Sequence, residues 1–223
     1  LQNLEDCEKR LEESVAGRAD HPLFDDLSET FERKSLPPAL LKDLLTAFRW
    51  DVTKTRYADY PDLLEYCRFS ANPIGRAVLI LFGYSDPKLL ELSDKICTGI
   101  QLVNHWQDIA LDCAKGRIYI PQEDLKRFEV QEKDLGRRQA TNSFRSLLKF
   151  EIERTRALFH EGEPLLRHLG RRLRWQVELM WEGPLKVLDR IEKVDYDVFG
   201  RRPALTKRDL VGLFLKRRLS RGR

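Results

Sequence analysis

Four oxygen-bearing side chains, Gln101, Asn104, Asp108 and Asp112, follow one another at i, i+3, i+7 and i+11. At 100° per residue this spacing gathers them within a wedge of about 80° on one helix. Two carboxylates at i and i+4 lie about 5 to 6 Å apart and repel each other unless a cation sits between them. A hard divalent ion would remove that repulsion. Mg²⁺ prefers oxygen ligands, keeps several waters, and is held by one or two carboxylates together with substrate phosphates. Asp108 and Asp112 therefore suit a metal-bound diphosphate. The bland reading is the solvated face of an amphipathic helix. Against it, residues 101–112 contain no Lys, Glu or Arg in a chain rich in all three, and exposed helix faces usually recruit them.

Directly after this stripe come Gly116, Arg117, Tyr119 and Pro121. Gly116 frees a turn, and the five donors of Arg117 match phosphate oxygens. Arg117 also suits a capping charge on the helix dipole.

Long helices are needed to hold these groups, and the periodicity predicts them. Asp86 and Pro87 open the longest pattern, from Lys88 to about Ala114, with Gly116 as its stop. The rest of that helix is apolar, so most of it must be buried. Upstream, one helix ends at Gly17, a second starts at Pro22 and runs to about Lys34, and a third runs from Pro37 and Pro38 to about Thr55. Asp59 and Pro61 start another, interrupted at Asn72 and Pro73 and ended by Gly83. Residues 121–128, 141–160, 164–181, 184–191 and 205–219 read as further helices. Nothing suggests a sheet.

The 223 residues are 42% hydrophobic and 34% charged with 12 Gly, which fits a single helical domain over 1–223. No stretch reaches the roughly 18 to 20 apolar residues of a membrane span, and the charged N-terminus is no signal peptide. A cytoplasmic chain is the expectation. The four cysteines lack metal or disulfide spacing and read as buried free thiols. His21, His105, His160 and His168 read as structural, His105 flanking the stripe without a second ligand at metal spacing. Residues 201–223 hold nine Lys or Arg against Asp209 alone, so the net charge of +4 conceals an acidic remainder. That tail lacks interleaved aromatics and a reading motif, which argues against nucleic acid. Its amphipathic stretch 205–223, with Leu210, Val211, Phe214, Leu215 and Leu219 on one face, is expected to dock on the core, with peripheral membrane contact as the alternative.

The run from Gln101 through Asn104, Asp108 and Asp112 to Gly116, Arg117, Tyr119 and Pro121 resembles the second aspartate-rich motif of squalene and phytoene synthases. Arg56, Tyr57 and the stretch Asp62, Tyr66, Cys67, Ser70, Ala71, Asn72, Pro73, Gly75, Arg76 resemble that family's other signature. The Asn-Pro-x-Gly-Arg variant and Trp106-Gln107, where relatives often carry Leu-Arg, look like the bacterial hydroxysqualene synthase branch. With Gln107 there, one diphosphate contact of the family has no cationic counterpart.

The resemblance implies an all-α, isoprenoid synthase-type helical bundle around a central prenyl-binding cavity. It implies Mg²⁺ held by Asp108, Asp112 and Asn104, diphosphate oxygens met by Arg117, and a polar mouth at Gln101 and Tyr119. Tyr66, Ser70, Ala71 and Gly75 would shape the substrate cavity, with Tyr66, Tyr119 and Arg117 as the catalytic candidates. The implied reaction is conversion of presqualene diphosphate to hydroxysqualene. The alternatives are head-to-head condensation of prenyl diphosphates such as farnesyl diphosphate, or a non-catalytic helical lipid-binding scaffold. The family's first aspartate-rich motif has no counterpart, because Asp108 and Asp112 are the one Asp-x-x-x-Asp pair of this kind and Glu8 and Glu12 read as a solvated face. An N-terminal truncation is the expected cause, with an open, apolar-sided cavity and little activity in this fragment as its consequences.

Overall fold

The computed structural model describes residues 1–200, 202–206, 209 and 212. Twelve helices appear among them, and no strand. They are α1 (Gln2–Val15), α2 (Pro22–Lys34), α3 (Ala39–Thr53), α4 (Tyr60–Ser70), α5 (Asn72–Leu81), α6 (Pro87–Gln107) and α7 (Ile109–Ala114), followed by α8 (Gln122–Arg127), α9 (Glu132–Gly136), α10 (Asn142–Gly162), α11 (Leu165–His168) and α12 (Arg171–Lys193). Local chemistry sets many of the starts. The Asp59 carboxylate accepts from Asp62 N at 2.8 Å, Asp86 from Lys88 N at 2.9 Å, and Thr141 Oγ1 from Phe144 N at 3.2 Å. Each satisfies a backbone donor that the first turn leaves without a partner.

Helix α6 runs through the centre, packed by α4, α5, α10, α11 and α12. Trp106, fully buried on it, donates from Nε1 to Thr155 Oγ1 of α10 at 2.9 Å, which satisfies the indole inside the core. The two helices approach closely because Gly162 of α10 faces α6. A Cβ there would lie 2.6 Å from Ile96 Cγ1 and 3.0 Å from the Leu92 carbonyl oxygen. Gly162→Ala should therefore push the helices apart and destabilise the fold by about 1–3 kcal/mol, read as a lower midpoint in urea at unchanged m-value. A second, smaller cluster of Leu11, Phe31, Leu36, Leu40 and Leu45 joins α1, α2 and α3.

Three expectations need correction. The helix foreseen from Lys88 to Ala114 is two helices, broken at Asp108 (φ −105°, ψ 12°), in the bridge region of backbone space. Side chains on both sides of the break are held from a distance: Gln107 Nε2 donates to the Pro203 carbonyl, and Arg202 forks onto the Asp108 carboxylate. Conversely, the two helices expected over 164–181 and 184–191 are the short α11 and an α12 that continues through Pro184. The donor and space lost to that ring are offset by burial of Gly183, Val187, Leu188 and Ile191 around it. Of the four free cysteines, only Cys67 is fully buried. Helix α9 was not foreseen; its capping box joins Gln131 and Asp134.

The helix expected over 205–219, including Leu210, Val211, Phe214, Leu215 and Leu219, lies almost wholly outside the described residues. Leu205 packs against the core, and Arg190 pairs with Asp209. No helix among the described residues is long and apolar enough to cross a membrane.

Candidate active site

The turn after α7 is made at Gly116, whose φ of +77° is costly for residues with a Cβ. The chain then lies along the segment that follows α3, with Ile118 N donating to Thr55 O at 3.0 Å and Gln122 N to Tyr57 O at 2.9 Å. Arg56 locks this pairing. Its Nη1 donates to Gly116 O at 2.6 Å, and Nε and Nη2 each reach the Glu132 carboxylate at 2.8 Å. In the upstream signature, Arg56 is thus a clamp on the site loop.

The clamp brings Arg117 and Tyr119 against the end of α3, where they meet Asp51. Tyr66 donates its hydroxyl to Asp51 Oδ1 at 2.7 Å, Tyr119 donates to the same oxygen at 3.4 Å, and Arg117 Nη2 donates to the Asp51 carbonyl at 2.6 Å. Two phenols from α4 and the site loop therefore converge on one carboxylate oxygen. Burial raises the pKa of both tyrosines, so their hydroxyls stay protonated and able to donate. His105 lies face to face on Tyr119, ring centroids 3.7 Å apart and planes 16° from parallel. It is 5% exposed, and burial pushes its pKa down to about 3, against the opposing pull of Asp108, so the imidazole is neutral. Gln101 Nε2 stands 3.5 Å from His105 Nε2.

Asp112 is half-buried. Burial raises the pKa of its carboxyl, and the Asp108 charge raises it further, while Lys115 and Arg117 pull the other way. The repulsion expected from the i, i+4 spacing is therefore present. Asp108 meets Arg202 instead of open water, with Nη2 to Oδ2 at 2.9 Å. Asn104, on the last turn of α6, is exposed. The donors of Asp108, Asp112 and Asn104 are all hard oxygens, which fits Mg²⁺ in kind. Among the described residues no three His, Cys, Asp or Glu side chains group into a self-sufficient cation site.

The structure does not bring every expected residue into one chamber. Tyr66, Tyr119, Arg117 and Asp112 gather at the polar end. Gly75 instead lines a separate apolar pocket of about 50 Å³ with Ile74, Val78, Ile96, Cys97 and Met180. A Cβ at Gly75 would stand 2.5 Å from Ser93 Oγ, so the glycine lets α5 close on α6. The rim of this pocket faces outward, with Ile74 50% and Met180 52% exposed. Ala71 is the half-buried hinge between α4 and α5, and the buried Ser70 hydroxyl has no hydrogen-bond partner.

Sequence reasoning missed Asp51, Arg202 and the position of His105. Asp51 has no partner at a telling spacing, and Arg202 sits in a run of basic residues. His105 was set aside for lack of a second ligand, whereas its contact is a ring from the site loop.

The all-α bundle built around α6 is of the isoprenoid synthase type. The chain belongs to the squalene/phytoene synthase family, whose model matches residues 1–209. Hydroxysqualene synthase from Rhodopseudomonas palustris is 36% identical over 157 residues, 70% of this chain and 53% of that protein. Phytoene synthase 1 of Zea mays is 32% identical over 213 residues, 92% of this chain and 51% of that protein. The chain thus spans about half the length of these curated relatives. The crystal structure of squalene synthase HpnC from Alicyclobacillus acidocaldarius matches with a TM-score of 0.84 at 39% identity, over 86% of this chain and 73% of that one. A dehydrosqualene synthase in complex with ligand shares the fold, with a TM-score of 0.87 at 24% identity over 96% of this chain and 76% of that one.

Proposed function

We propose that the whole protein converts presqualene diphosphate to hydroxysqualene with Mg²⁺. The observation that carries this reading is the polar end itself, where Asp108 and Asp112 stand beside Arg117 and Arg202 and next to the Tyr66–Asp51–Tyr119 convergence. Asp108, Asp112 and Asn104 would hold Mg²⁺, which when bound neutralises the charge of the leaving diphosphate. Arg117, tied to Asp51 by its backbone carbonyl, would donate its remaining N–H groups to the same diphosphate. Tyr66 and Tyr119 keep their protons on the Asp51 side, inside an aromatic cluster in which His105 and Tyr57 stack on Tyr119. The Tyr66 and Tyr119 ring centroids are 5.6 Å apart. The apolar pocket at Gly75 would take prenyl chain. The likeness to hydroxysqualene synthase and the Gln107 position support this branch.

One observation favours a second reading, a head-to-head condensation of two prenyl diphosphates. Phytoene synthase 1 of Zea mays aligns over 92% of this chain, against 70% for hydroxysqualene synthase. Incubating the full-length protein separately with presqualene diphosphate and with farnesyl diphosphate, with Mg²⁺ or with EDTA, separates the two by mass spectrometry of the products. The expected result is hydroxysqualene from presqualene diphosphate, abolished by EDTA. Condensed product from farnesyl diphosphate, with presqualene diphosphate left intact, would establish the second reading.

A further inference from the structure

Behind the stacked pair His105 and Tyr119 lies a recess of about 10 Å³. One water needs about 10–15 Å³ and two to four polar partners. The wall supplies His105, Asp112, Arg117 and Tyr119 as hydrogen-bonding groups, with Ile109, Cys113, Ile118 and Ile120 closing the rest. An apolar cavity of this size would stay dry, but this one combines an acceptor, a donor and two groups that can act as either. Its position couples it to the polar network. Tyr119 forms part of the wall and reaches Asp51, and His105 also stands beside Gln101.

We propose that this recess holds the single water that captures the carbocation, and that His105 determines whether the product is hydroxylated. This rests on the functional reading above. The bond from carbon to diphosphate oxygen breaks and its electron pair leaves with the diphosphate. After rearrangement of the cation, a lone pair of the held water forms the new carbon–oxygen bond. The oxonium proton passes to the Tyr119 oxygen as the phenol's own proton moves onto Asp51, so no oxidant or reductant enters.

The test measures the share of hydroxylated product per presqualene diphosphate consumed, in ¹⁸O-labelled water, for the full-length protein and two variants. His105→Phe keeps a ring on Tyr119 and removes the nitrogens. Cys113→Leu fills the recess and leaves the imidazole and both tyrosines in place. Melting curves establish that each is folded. In both variants the hydroxylated share should fall at least tenfold in favour of unhydroxylated hydrocarbon, whatever the total turnover. A wild-type share in either folded variant, or a fall in turnover with an unchanged share in the remaining product, overturns the recess. A wild type that yields no hydroxylated product from presqualene diphosphate removes the functional reading and the recess together.

Discussion

Asp108→Asn and Asp112→Asn in the full-length protein should each lower turnover by about a hundredfold or more, with helix content unchanged. The amide keeps the shape of the carboxylate and loses the charge that attracts a divalent cation. Removing one preorganised electrostatic element from a site commonly costs about 10²–10³ in rate. The two variants should part in stability. Asp112 is a half-buried carboxylate whose ionisation is opposed by burial and by Asp108, so the neutral amide should leave the melting temperature equal or higher. Asp108→Asn loses the fork with Arg202 that helps pin residues 202–203 onto the α6–α7 junction, so its melting temperature should fall slightly. Circular dichroism, melting curves and product formation with saturating Mg²⁺ check all three points. Full activity in either variant would overturn the assignment of the pair.

The split behaviour of these neighbours shows what could be read from the chain and what could not. Helix starts at Asp59, Asp86 and Thr141 were legible because a cap and the backbone donor it satisfies lie within three residues of each other. The Gln101–Asp112 stripe was legible for the same reason, since its spacing is an intrahelical property. The bend at Asp108 was not legible, because the groups that hold it, Arg202 and Pro203, lie more than ninety residues along the chain. Asp51 was hidden in the same way, with its phenol partners on a different helix and on a loop. Pro184 misled because a local rule about helix interiors was overridden by the burial around it. In each case the sequence pattern located a group, and tertiary contact decided what that group faces.

The second large effect lies away from the site, where α8, α10 and the start of α4 meet. Glu151 is 0% exposed and Asp124 3%, and one guanidinium serves both, with Arg154 Nη2 2.7 Å from Asp124 Oδ2 and Nε 2.7 Å from Glu151 Oε2. Arg154 also lies 3.7 Å over the Tyr60 ring. Arg154→Ala leaves the Asp124 charge and the Glu151 carboxyl in the core without their shared guanidinium and should destabilise the protein by about 3–5 kcal/mol, roughly a 10 °C fall in melting temperature for a chain of this size. The pH dependence identifies the cause. Burial, then the neighbouring Asp124 charge, push the Glu151 pKa up from 4.5 to about 8, with Arg154 opposing. A carboxyl raised in the folded state contributes stability that is fully present below its unfolded pKa and is lost as pH rises through about 8. His105, held down near 3 from 6.5, has the opposite sign, since its contribution is lost as pH falls below 6.5. The two oppose each other below pH 6.5, and between 6.5 and 8 Glu151 acts without that opposition. Urea unfolding across that window should show stability declining with pH in the wild type. The decline should be flattened in Glu151→Gln, whose amide stays neutral and can still donate to Asp124, and extended to higher pH in Arg154→Ala, where nothing opposes the rise of the Glu151 pKa. An unchanged slope in Glu151→Gln would assign the decline to another group and leave the buried triad without its expected role in stability.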